Sequence, residues 1–150
     1  MRLTNLHRLP AGLAGGVSLV LSACASNVAV GAERPVEVVH SASAAYSATQ
    51  PHTIVVDATV DLPNSCWSNP RFQTPAPGAV PDANGTIDVT ILADYSGGPG
   101  MACGMIFRPA VKVPELLWST YPKAGLRAVN VVGSTTSVVA PVSGAQSERS

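Results

Sequence analysis

A chain of 150 residues has room for one domain and little beyond it. Nine basic side chains balance nine acidic ones and only 12% of residues are charged, which excludes the basic footprint expected of a nucleic-acid-binding domain. At 46% hydrophobic residues the chain is also too apolar to be disordered throughout, although aromatics supply just 5% and much of the remainder is Ala and Val.

In chain order, Arg2, His7 and Arg8 give a basic start, and Ala11 to Ala23 follow without a charge. At about 1.5 Å per residue that stretch is too short to cross a hydrocarbon core of roughly 30 Å. It matches the apolar region of a secretory signal over residues 1–23. No other segment approaches the roughly 18 consecutive apolar residues of a membrane span. Residues 24–50 are rich in Ala, Ser and Val, and Ser41 to Gln50 carries no helical stripe. Within them, 25–34 read as a flexible tether and Ser41 to Gln50 as a linker, while residues 35–40 form a short first strand or continue the tether.

From Pro51 to Val142 the punctuation is that of strands. Ile54, Val56, Ala58, Val60 and Leu62 alternate with Val55, Asp57, Thr59 and Asp61, so one face is apolar and both Asp residues face water. Pro63-Asn64 ends that run. Asn84-Gly85 predicts a turn with positive φ, and Thr86 to Leu92 follows with Ile87, Val89 and Ile91 on one face. Further β-prone runs are Met105 to Phe107, Val111 to Val113, Leu126 to Val132 and Ser137 to Ala140, while Glu115 to Trp118 reads as a helical turn. The tail, 143–150, is polar and reads as disordered. Short strands separated by Gly/Pro turns predict an all-β fold over 51–142, an antiparallel sandwich of about seven strands. Its core would be rich in Val and Ile, helped by Trp67, Phe107 and Trp118.

The signal ends in Leu21-Ser22-Ala23-Cys24, which resembles the lipobox of bacterial lipoproteins. The resemblance implies that Cys24 receives a diacylglycerol, that the chain is cut before it, and that the new amino terminus is acylated. One acyl chain anchors marginally whereas two or more hold firmly. An ordinary signal peptide with a coincidental cysteine is the alternative. Without residues 1–23 the chain keeps seven basic and nine acidic side chains, so attraction to anionic lipid cannot hold it. The membrane would be its partner through the covalent anchor, in the cell envelope. Ala25 and Ser26, where an Asp would retain a lipoprotein at the inner membrane, imply the outer membrane facing the periplasm in bacteria that have one.

Lipidation of Cys24 leaves Cys66 and Cys103, which are expected to pair in an oxidising compartment. They enclose about 38 residues, for which loop-closure entropy gives roughly 3 to 5 kcal/mol. Two unpaired thiols are the alternative. The strand end Leu62-Pro63-Asn64-Ser65-Cys66, the turn strand Gly85 to Ile91, Cys103, and a Lys123-Ala124-Gly125 turn before the closing strand resemble small immunoglobulin-like domains of bacterial lipoproteins without assigned activity. In those, the first cysteine is bridged to the later one. Trp67 directly follows Cys66, which departs from the antibody-type spacing.

Candidate chemistry is thin. Met101, Cys103 and Met105 alternate, and on a strand their sulfurs would share a face suited to Cu(I), with His40 or His52 adding a nitrogen. Core packing, or pairing of Cys103 with Cys66, is the bland reading of the same residues. Asp57 and Asp61 stand roughly 13 Å apart along a strand, too far for a glycosidase pair. Asp82-Ala83-Asn84-Gly85 lacks the glycine and glutamate spacing of a calcium loop and reads as a turn. The stretch Gly97 to Gly104 lacks the Gly-Lys-Ser/Thr ending of a phosphate loop and reads as a mobile surface loop. No catalytic residue and no cofactor is assigned, and an enzyme is the least favoured class. The expectation is a lipid-anchored binding or structural module that meets an envelope protein partner. Its surface would be the Pro-rich loop Ser68 to Ala83, bearing Arg71 and Phe72.

Overall fold

The alternation at Ile54 to Leu62 becomes a ten-residue strand whose even positions are all buried. The computed structural model describes residues 31–50, 52–119 and 125–144. Nine strands run through them: β1 (Ala32–Pro35), β2 (Val38–Tyr46), β3 (Thr53–Leu62), β4 (Trp67–Phe72), β5 (Thr86–Tyr95), β6 (Arg108–Lys112), β7 (Leu116–Ser119), β8 (Ala128–Val132) and β9 (Ser137–Ser143). Among the described residues there is no helix. The signal, Cys24, Lys123, Ala124 and the end of the tail lie outside the described residues.

All nine strands belong to one mixed sheet, hydrogen-bonded in the order β1-β5-β8-β9-β2-β3-β6. β1 pairs with Leu92 to Tyr95 and β8 with Thr86 to Thr90, so the two share one edge of β5, and β4 takes the other. In the same way β6 and β7 share the edge of β3 that faces away from β2. The sheet curls around one core of aliphatic side chains, with Val36, Ile54, Val56, Val60, Ile91, Val113, Val129 and Val131 fully enclosed. Each such side chain contributes roughly 1.5–3 kcal/mol through removal from water, and their β-branching suits the pleated backbone.

The sheet is mixed where an antiparallel one was expected. β5 and β8 run parallel, as do β2 and β9 over Ala44–Ala45 and Val142–Ser143. The cause is connectivity: after β5 the chain crosses to the edge of β3, makes β6 and β7, and returns to lie beside β5 in the same direction. Alternation of side chains reports which face is buried, and carries no information on direction.

Other expectations are corrected by pairing. Ala32 to Arg34, expected in a tether, pair with β5, and most of Ser41 to Gln50, expected to be a linker, is β2. The small side chains there fit a strand already bonded on both edges, and Ser41 Oγ lies 2.7 Å from Thr59 Oγ1. Glu115 to Trp118 gives no helical turn, because Leu116 and Trp118 point inward from β7 while Leu117 points out. Met105 to Phe107 is not a strand; β6 begins at Arg108, and Phe107 is exposed rather than part of the core. The domain begins upstream of residue 51, and Ser143 belongs to β9 rather than to the tail.

At Val36 and Glu37 the first strand leaves β5 and continues as β2 beside β3. The β8–β9 turn is held in that corner: Ser134 N–H donates to Val36 O (2.7 Å) and Thr135 N–H to Glu37 O (3.0 Å). Gly133 passes so close that a Cβ would stand 2.8 Å from Val36 O.

Candidate interaction surface

A seam separates the sheet's two borders, β4 on one side and β6 with β7 on the other. The chain crosses it twice, at residues 63–66 between β3 and β4 and at 96–107 between β5 and β6. Cys66 and Cys103 tie the crossings together, their sulfurs 1.99 Å apart and their Cα atoms 5.4 Å apart. Around the bond, Ser65 N–H donates to Gly104 O (3.1 Å), Gly104 N–H to Ser65 Oγ (2.8 Å), and Ser96 N–H to Cys66 O (2.9 Å). The Arg108 guanidinium donates to Trp67 O across the gap. The first crossing is shaped by Asn64, whose Oδ1 accepts Cys66 N–H at 3.0 Å, an Asx turn that aims the thiol at the loop.

Next to this staple, Trp67 is buried with its ring centroid 5.0 Å from that of Tyr95, and the Arg34 guanidinium carbon lies 4.5 Å from the centroid of the Tyr95 ring. Gly97 runs directly against the tyrosine, where a Cβ would come within 2.3 Å of its hydroxyl.

The 96–107 loop is apolar on its outside. Among the described residues, four of the seven exposed large hydrophobic side chains fall within it: Met101, Met105, Ile106 and Phe107, with Met105 97% exposed. Ile106 and Arg108 join Ser65, Trp67 and Ser68 around a recess of about 260 Å³. An apolar cluster in water is unfavourable for a small domain, and such clusters mark contact sites. The staple fixes the loop at Cys103, beside the buried Cys66.

The residues expected to form the partner surface are used elsewhere. Arg71 and Phe72 lie in β4, not in a loop. Arg71 reaches across β5 to bond Asp94 (2.9 Å) and Glu33 of β1, and also donates to Asn69 O. Its pKa is raised by the hydrogen bonds to Glu33 and Asp94, while Asp94 is lowered by donors from Asn69 and Arg71. Phe72 is half-buried against the core. Only the remainder of the expected segment, from Gln73 onward, is loop.

The soft-metal arrangement is not formed. Residues 101–107 are not a strand, so Met101 and Met105 have no shared face, and the Cys103 sulfur is bonded to Cys66. Among the described residues no group of three His, Cys, Asp or Glu could hold a metal ion. His40 Nδ1 stands 3.7 Å from Asp61, and Asp57 faces Lys112 at 3.6 Å. An open depression of about 480 Å³ over Ser41, Ser43, Asp57, Thr59 and Lys112 has polar groups that largely bond one another. Asp82 forms the expected turn, its Oδ1 accepting from Asn84 N–H (2.9 Å) and Thr86 N–H (2.7 Å), with Gly85 at φ 78°.

The first part of this loop, Gly97 to Gly104, is the surface loop expected from the sequence, whereas Met105 to Phe107 was expected as a strand with Phe107 in the core. The usable signal was Met105-Ile106-Phe107 immediately before Arg108-Pro109, since Pro bars a central strand there. Comparison with known proteins finds no match among family models, curated proteins or solved structures.

Proposed function

We propose that the chain is an exported lipoprotein, cut before Cys24 and acylated there, whose β-domain works at the cell envelope as a non-catalytic contact module. The leader followed by Leu21-Ser22-Ala23-Cys24 supports the anchor, and the pairing of Cys66 with Cys103 supports an oxidising compartment. The bridge from the Leu62 strand end to Cys103 is also the feature most similar to the immunoglobulin-like lipoprotein domains, and kinship with them is part of this proposal. The observation that carries the contact role is the covalent fixing of a loop with four exposed apolar side chains. Ala25 and Ser26 favour the outer membrane, facing the periplasm, where one exists.

The anchor is tested by feeding cells an alkynyl fatty acid and weighing the N-terminal peptide of the tagged product. The expected result is a label confined to Cys24 and lost in Cys24→Ser. An exported product that is cut elsewhere and carries no label overturns the lipoprotein reading.

A further inference from the structure

The described chain begins at the apolar loop. Ala32 pairs with Tyr95, and a Cβ on Gly31 would lie 3.1 Å from Tyr95 O. Tyr95 closes β5, so the 96–107 loop starts at the next residue. Upstream, seven residues lead from Cys24 to Gly31. Fully extended they reach at most about 25 Å. The opposite end of the fold is far from this point. β5 has ten residues, a rise of roughly 30 Å along a strand. At its other end Gly85, Gly125 and Arg127 line a recess with Val80.

We propose that the loop bearing Met101, Met105, Ile106 and Phe107 docks into the interfacial layer of the bilayer that holds the Cys24 acyl chains. This rests on the lipoprotein reading above and adds a second, non-covalent point of contact. A short connection leaving the domain beside the loop puts that end, not the Val80 end, within reach of the lipid. The charge pattern agrees. Between Asp94 and Glu115 the only charged residues are Arg108 and Lys112, and the carboxylates that neighbouring strands bring to the loop's base are engaged, Glu33 and Asp94 by Arg71 and Asp61 by the Ala110 amide. Four apolar side chains on a loop are a small area, sufficient for docking once an anchor has removed the cost of finding the surface. The disulfide and the hydrogen bonds between Ser65 and Gly104 pin the loop at one point, so less conformational freedom is lost on contact.

The test uses the full chain expressed in bacteria with p-benzoylphenylalanine in place of Phe107 or, separately, of Val80. Irradiated membranes are analysed for phospholipid adducts on the corresponding peptides, and non-reducing mass analysis confirms the Cys66–Cys103 bond in each product. Adducts several-fold more abundant at position 107 than at position 80 support docking. Equal yields would mean a domain swinging freely on its connection, and a protein adduct replacing lipid at 107 would mean a protein partner; either overturns the proposal. Fatty-acid labelling of the same product separates the two ideas. If the chain is unlabelled, the lipoprotein reading fails and the loop is judged by flotation with phosphatidylethanolamine/phosphatidylglycerol vesicles. Flotation of the wild-type chain that is lost in Met105→Asp/Phe107→Asp supports an interfacial loop, and no flotation of the wild-type chain overturns it.

Discussion

Removing the staple with Cys66→Ala/Cys103→Ala measures how much of the domain's stability comes from closing the seam. The bond spans a sequence separation of 37. For a closed loop of that size the entropy withdrawn from the unfolded chain corresponds to about 4 kcal/mol at 25 °C. A domain of this size is stable by about 5–15 kcal/mol in total, so the variant should sit near the lower limit of folding. At about 4 °C per kcal/mol the melting temperature should fall by about 15 °C. Urea unfolding followed by Trp fluorescence reports it directly, because Trp67 is buried beside Cys66. The slope against urea should rise slightly as the unfolded chain expands. A loss below about 1 kcal/mol would refute the reasoning. The hydrogen bonds of Ser65 with Gly104 and of Arg108 with Trp67 would then close the sheet without help from the covalent bond.

Two further outcomes follow from local geometry. Gly133→Ala places a methyl 2.8 Å from Val36 O and 3.0 Å from Glu37 O, both backbone atoms that cannot swing aside, so the variant should lose about 1–3 kcal/mol in urea titration. Asp82 has its pKa lowered from 3.8, first by the Thr86 amide, so its contribution is complete above that value and disappears as pH falls through the lower folded one. The difference in urea midpoint between wild type and Asp82→Asn should therefore be constant near neutrality and shrink on acidification below about pH 4.

Alternation made β3 and β5 readable, because each buries one face and a two-residue period leaves a direct trace in Ile54 to Leu62 and Ile87 to Ile91. β2 left no such trace. Its Ser and Ala side chains are small on both faces, and what fixes it is a partner on each edge, at β3 and β9. Parallel pairing of β5 with β8 depends on a crossing of the whole sheet, which no local pattern encodes. The disulfide followed from counting cysteines once Cys24 was set aside. Arg71 looks free in the sequence, and only the approach of Glu33 and Asp94 from two other strands shows that it braces the sheet. Conversely Phe107 looks like core, and is exposed because it ends the crossing loop just before β6 rather than occupying an inward-facing strand position.

The two strands that border the seam also explain why such a sheet need not recruit more strands from its neighbours. β4 contains Pro70 beside Asn69 at φ 49°, where its register with β5 shifts, and β6 contains Pro109 beside Ala110 at φ 51°. Neither border offers a straight run of unsatisfied amides to an incoming chain, which is how exposed sheet margins template fibrils. Copies of the domain brought together at these two borders would meet at blunted, kinked margins.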